Sequence, residues 1–262
     1  MSRRPGDHTE WVAERRFPGR WTYPQPVLWR DRLLLFARSS DRLPVRWMVR
    51  ETRDGYNWSG WRDVVNWRDR GMGAYCLFRM HDGVLLMSAH AMRPGEARPF
   101  NRYVAWSRDG YEWLTATGSS MGDRVTQDAL ISTVRDAYYT HPLLDERGRP
   151  VVTATLRPSR LLMAQYTGRL GERGSWSVGP ITVNGRVFEH GGGHFYPLVA
   201  DGRLVIWITT GPYPKPGRLL RLARKRDFTF TVTFEDGSTI GGVSGVETVK
   251  NGTLASPRAE VI

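Results

Sequence analysis

Six histidines, His8, His81, His90, His141, His190 and His194, carry much of the chemistry open to this chain. Imidazole titrates near neutrality, so a histidine beside a phenol and a guanidinium is a candidate general acid or base. The densest such grouping is Arg135, Asp136, Tyr138, Tyr139 and His141. His141 and His194 are therefore the candidate proton-transfer groups, and Arg135, Tyr139, His90 and Tyr75 are the candidates to hold a substrate. The bland alternative is that these Tyr and His side chains hydrogen-bond between neighbouring strands. Metal chemistry has two weak footholds: the loop His190-Gly191-Gly192-Gly193-His194, and the trio Cys76, His81 and His90. Two imidazoles do not make a site, and one cysteine excludes a multi-Cys zinc site, so no metal and no cofactor is assigned. The glycine run lacks the Lys-Ser/Thr of a phosphate loop, and no Gly-x-Ser-x-Gly is present for a serine nucleophile.

Charge narrows the ligand. The 262 residues hold 38 Lys+Arg against 26 Asp+Glu, a net charge of +12. Only Lys215, Lys225 and Lys250 are lysines, and the one tight basic cluster is Arg221, Arg224, Lys225 and Arg226. A basic surface attracts polyanions. Arginines scattered along the chain suit weak steering of an acidic polysaccharide more than a nucleic-acid groove, and coding bias toward arginine is the competing explanation. The longest apolar runs, Leu33 to Ala37 and Leu204 to Ile208, are far short of a membrane span. Residues 1–11 show no signal-peptide pattern, which leaves the compartment open.

The elements that must position these groups are strands. The chain has 11 Trp, 10 Tyr, 9 Phe, 28 Gly and 16 Pro, and short apolar runs alternate with turn residues throughout. Strands are expected at Val27–Leu28 with Leu33–Phe36, Arg46–Arg50, Val84–Ser88, Tyr103–Trp106, Val151–Thr155, Leu161–Tyr166, Leu204–Thr209 and Phe228–Phe234. The segment Thr52-Arg53-Asp54-Gly55-Tyr56-Asn57-Trp58 recurs about 55 residues later as Ser107-Arg108-Asp109-Gly110-Tyr111-Glu112-Trp113. Further hairpins follow at Trp176 and Phe230. Ahead of each lies an aromatic strand, a turn and an apolar strand, opened by Tyr23, Tyr75, Tyr139 and Phe195. Four strands in roughly 50–65 residues is the size of a β-propeller blade. An all-β propeller is expected, as one domain over residues 1–262. Its blades lie at about 19–70, 71–130, 131–185 and 186–237, and 238–262 with 8–18 supply a composite fifth. An incomplete arc of a larger propeller is the alternative.

The two Asp-Gly hairpins resemble the Asp-box of sialidase-type propellers, Ser/Thr-x-Asp-x-Gly-x-x-Trp, with Asp and Gly one residue closer than usual. The resemblance makes Asp54, Asp109, Trp58 and Trp113 scaffold. The stretch Trp21-Thr22-Tyr23-Pro24-Gln25-Pro26, followed by Leu33-Leu34-Leu35-Phe36-Ala37-Arg38, resembles the BNR-4 group of propellers, which includes ulvan-lyase-like enzymes. That likeness implies β-elimination at a uronate, with Tyr23 as acid/base and Arg38 as the cation on the carboxylate. The family's catalytic histidines lie one blade earlier, and here only His8 precedes Tyr23. Two alternatives stay open: a propeller that binds a glycan or another acidic partner without turnover, and a sialidase-like glycoside hydrolase.

Overall fold

The computed structural model describes residues 21–39, 45–96, 98–156, 160–183, 186–187, 195–200, 203–208, 231–233 and 239–241. Their regular structure is strand apart from two 3-10 turns. β1 (Trp21–Trp29), β2 (Arg32–Ser39), β3 (Trp47–Thr52) and β4 (Arg62–Val65) form one four-stranded antiparallel sheet in sequence order. β5 (Gly73–His81), β6 (Val84–Met92), β7 (Phe100–Ser107) and β8 (Leu130–Ser132) form a second. β9 (Ala137–Leu144), β10 (Pro150–Leu156), β11 (Arg160–Tyr166) and β12 (Trp176–Pro180) form a third. Each is a plain up-and-down meander, the topology of a propeller blade. Shorter pairs follow: β13 (Thr182–Val183) with β14 (Arg186–Val187), β15 (Phe195–Ala200) with β16 (Arg203–Ile208), and β17 (Thr231–Thr233) with β18 (Thr239–Gly241). The rest of the expected fourth unit, and the expected closing strands in 8–18 and in the tail beyond residue 241, lie outside the described residues, and β18 pairs with β17. Among the described residues no helix is long and apolar enough to cross a membrane.

The first strands of the sheets gather together: β1 contacts β5, β5 contacts β9, and β9 contacts β15. Alternation sends one face of each strand inward. In β1, Val27 and Trp29 are buried while Leu28 between them is 73% exposed. The core between the first two sheets is aromatic. Phe36 stacks on Phe78 at 3.9 Å, and Trp47 and Trp113 pack on the same Phe78 ring. Trp47 Nε1 donates to the Ala74 carbonyl at 2.7 Å, so the largest ring also satisfies its one polar atom. The second and third sheets meet through Leu86, Trp106 and Leu144 in one cluster and Val104, Val152 and Ala164 in another.

The two repeated hairpins share one hydrogen-bond pattern. Asp54 Oδ1 accepts from the backbone N–H of Tyr56 and Asn57, and Thr52 Oγ1 accepts from Gly55 N–H. Asp109 Oδ1 accepts from Tyr111 and Glu112, and Ser107 Oγ accepts from Gly110 N–H. Both carboxyls are held below the usual range. At Asp54 the backbone N–H donors are the main cause; at Asp109 the same donors outweigh a raising effect of burial. The aspartates are turn scaffold, but the tryptophans diverge. Trp113 is fully buried in the inter-sheet core, whereas Trp58 is half-buried beneath Arg50. The second hairpin packs on the first sheet, where Gly110 faces Trp29 and Leu34. Its latch runs through Arg32, which donates to Glu51 and to the Asp109 carbonyl, and Tyr111, whose hydroxyl donates to Glu51 at 2.6 Å. Arg62 adds a bond to the Gly110 carbonyl and lies over the Tyr111 ring.

Candidate functional site

Tyr23 and Arg38 meet because β1 is bulged. The β1–β2 register jumps between Thr22 and Gln25, leaving Tyr23 and Pro24 without ladder partners. Pro24 has no N–H to pair, which suits a bulge. Tyr23 there takes φ +53°, the left-handed region that a tyrosine adopts only under constraint. The bulge is pinned from the next sheet: Gln25 donates its amide to the Cys76 carbonyl at 2.8 Å and accepts from Phe78 N–H at 2.9 Å.

The ring that results is 53% exposed. The Arg38 guanidinium carbon lies 4.5 Å from the Tyr23 ring centre and 4.7 Å from that of Tyr75, and the two rings meet edge to face at 5.6 Å, so the cation rests against a pair of phenols. Arg38 Nε donates to Thr22 Oγ1 at 3.0 Å. Its two Nη groups have no hydrogen-bond partner among the described residues. Tyr75 in turn stacks on His90 at 5.3 Å, and His90 meets the edge of Tyr138 at 6.0 Å. The cluster thus spans β1, β2, β5, β6 and β9.

Arg102 completes it from β7. It stands directly opposite His90 in register, which puts both side chains on one face. Only 3% exposed, it donates Nη1 to the Asn101 carbonyl, while its Nε and Nη2 and the His90 Nδ1 are buried without partners. Burial, helped by the Arg102 charge, pushes the His90 imidazole down to about 3. It is therefore neutral at physiological pH. Burial also lowers Arg102, to about 10, against the pull of Asp136 and Tyr138, and the guanidinium stays charged.

The depressed His90 makes the fold acid-sensitive. Below its unfolded value the unfolded chain binds the proton and the folded chain does not, so stability falls as pH falls from 6.5 toward 3. The loss is roughly 2 kcal/mol between about pH 6.5 and about pH 5, above the range of the lowered aspartates. His81 is also lowered, by burial first, and adds in the same direction. The readout is therefore the difference between wild type and His90→Phe: denaturation midpoints across this window should slope in the first and flatten in the second. Parallel pH profiles for the two proteins would contradict the burial of a neutral imidazole.

Of the residues expected from the sequence, the structure brings Tyr23, Arg38, Tyr75 and His90 together. A second bulge in β9 puts Tyr138 and His141 on the same side of the strand, opposite Thr155 and Thr153. Tyr138 is the one at the cluster, and His141 lies further along. Arg135, expected in the grouping with His141, is exposed, and the arginine that stands beside His90 is Arg102. The Tyr139 side chain and the whole of His194 and His190 lie outside the described residues. Cys76, His81 and His90 do not gather. Cys76 follows Tyr75 and so points to the opposite face from the Tyr75–His90 pair, and His81 sits at the far end of the hairpin. Arg102 lies one residue before the strand expected at Tyr103, so the strand pattern assigns it no face.

No protein-family model matches the chain, and no curated protein sequence matches it, so the BNR-4 and Asp-box resemblance rests on the residues quoted above. Among solved structures the chain is similar to the polysaccharide lyase Uly1, with TM-score 0.49 and 12% identity over 84% of this chain and 57% of that one. It is also similar to a thermostable family-43 glycoside hydrolase, with TM-score 0.40 and 12% identity over 84% of this chain and 70% of that one. The chain spans little more than half the length of the lyase.

Proposed function

We propose that this chain is a carbohydrate-active β-propeller that takes an acidic polysaccharide at the mouth of its channel, where Arg38 holds a uronate carboxylate. The observation that carries the reading is the Arg38 guanidinium, held against the edge-to-face pair Tyr23 and Tyr75 with both Nη groups free of partners among the described residues. A planar fork so oriented suits bidentate carboxylate binding. The propeller itself is supported by three consecutive four-stranded meanders whose first strands meet.

The chemistry that fits is β-elimination. The proton α to the carboxylate is removed, its bonding pair becomes the new double bond, and the bond to the 4-linked oxygen breaks with its electrons. Arg38 stabilises the charge that builds on the carboxylate, and Tyr23, the most exposed phenol of the cluster, takes the α proton in its ionised form and passes it to the leaving oxygen. A second reading, glycan binding without turnover, is favoured by one observation: the imidazole of the cluster, His90, is 5% exposed.

Mixing the protein with a panel of uronic-acid polysaccharides tests both. The near-ultraviolet absorbance of an unsaturated uronate should rise with at least one polymer. Binding should weaken steeply with salt, because exposed charges are screened and counterions released. Salt-sensitive binding with no absorbance change would establish the second reading. No binding at low ionic strength would overturn both and leave the basic composition to coding bias.

A further inference from the structure

A second feature lies at the same end of the sheets as Arg38. The cross-strand row Thr22, Arg38, Trp47, Val65 runs the width of the first sheet. The next residue, Asn66, opens the wall of a cavity of about 460 Å³. Strands lie about 4.8 Å apart, so this wall begins roughly 10 Å from Arg38, two strands outward.

The cavity sits on the seam between the first and second sheets. One wall is the β4–β5 connection with its 3-10 turn Arg68–Arg70, and the other is the segment leading to β8. The walls are tied together: Val125 N–H donates to the Val64 carbonyl at 2.8 Å, and Trp67 Nε1 donates to the Val125 carbonyl at 3.0 Å. The shape is thus built by buried groups and not by loose loops. Its lining is cationic in balance, with Arg68, Arg70 and Arg124 against Asp69 and Asp123. Asp123 is engaged by Arg124 at 3.4 Å, whereas Arg70 has no ion pair among the described residues. Deeper in, Gln127 accepts from the Tyr103 hydroxyl at 2.6 Å, and its amide nitrogen is buried without a partner. A volume of this size holds one or two sugar rings.

We propose that this seam cavity is an outer subsite, binding a carboxylate- or sulfate-bearing sugar unit of the same polysaccharide strand that Arg38 engages a few units away. This rests on the function proposed above and narrows its substrate: the ligand is a polymer with repeated anionic groups, read over several units, and not an isolated uronate.

The test uses size-fractionated ulvan oligosaccharides, from tetrasaccharide to decasaccharide, titrated calorimetrically into the full chain. Wild-type affinity should climb with length until one molecule reaches both places. The double variant Arg70→Ala/Arg124→Ala removes two exposed cations. It should lose roughly tenfold for the long oligosaccharides, bind the short ones as wild type does, and show a shallower salt dependence. Arg38→Lys should weaken every length. If the double variant binds all lengths as wild type does while Arg38→Lys weakens them, the outer subsite is wrong and the function stands. If Arg38→Lys also changes nothing, or the wild type binds no length, both fall.

Discussion

Arg38→Lys is expected to lower kcat/KM on the best polysaccharide, or affinity where the wild type binds without turnover, by about two orders of magnitude. Lysine keeps the charge but not the planar fork, and it loses the guanidinium contacts with the Tyr23 and Tyr75 rings at 4.5 and 4.7 Å. The fold should survive. The Arg38 side chain is half-buried, its one hydrogen bond among the described residues runs to Thr22, and the lysine stem can cover the same apolar surface. Tyr23→Phe is the companion measurement: it keeps the ring against the cation and removes the hydroxyl, so kcat should drop with KM nearly unchanged. Unaltered kinetics and binding in Arg38→Lys, with a normally folded protein, would remove the site from the β1–β2 bulge.

Trp113→Ala should cost about 3–5 kcal/mol in denaturant unfolding, and Trp58→Ala about 1 kcal/mol. The two residues occupy the same place in a repeated sequence, yet Trp113 is fully buried against Phe78 while Trp58 is half-buried under Arg50. The expected gap comes from the neighbour and not from the hairpin: the second hairpin has the first sheet to pack on, and no described sheet covers the first in that way. Equal losses for the two would mean that the first hairpin is packed just as tightly.

That pair shows what was legible and what was not. The Asp-Gly turns could be read because their hydrogen bonds reach only two or three residues, within the motif itself. Burial of the following tryptophan depends on which sheet stands next to it, and a local motif carries no such information. Tyr75 and His90 could be placed opposite one another by counting outward from Asp82-Gly83. Both turn residues have positive φ, +46° and +75°, as a two-residue hairpin demands. The same counting from the β1–β2 turn would set Tyr23 opposite Arg38. The bulge instead gives Arg38 to Thr22 and leaves the Tyr23 ring to lie over the guanidinium. Arg102 was beyond such counting, since the β6–β7 connection is long and a register shift falls at His90 and Ala91. Its partnership with His90 exists only in three dimensions.

The left-handed backbone at Tyr23 bears on how this protein could be improved. At φ +53° a glycine or asparagine would be more comfortable than tyrosine, by about 1 kcal/mol for the backbone alone. A redesign that ranked substitutions by thermal gain would therefore favour this position and, in accepting the change, remove the exposed phenol over Arg38. Robustness and ligand handling pull against each other at a single residue. Engineering for heat tolerance should begin elsewhere, away from the β1–β2 bulge.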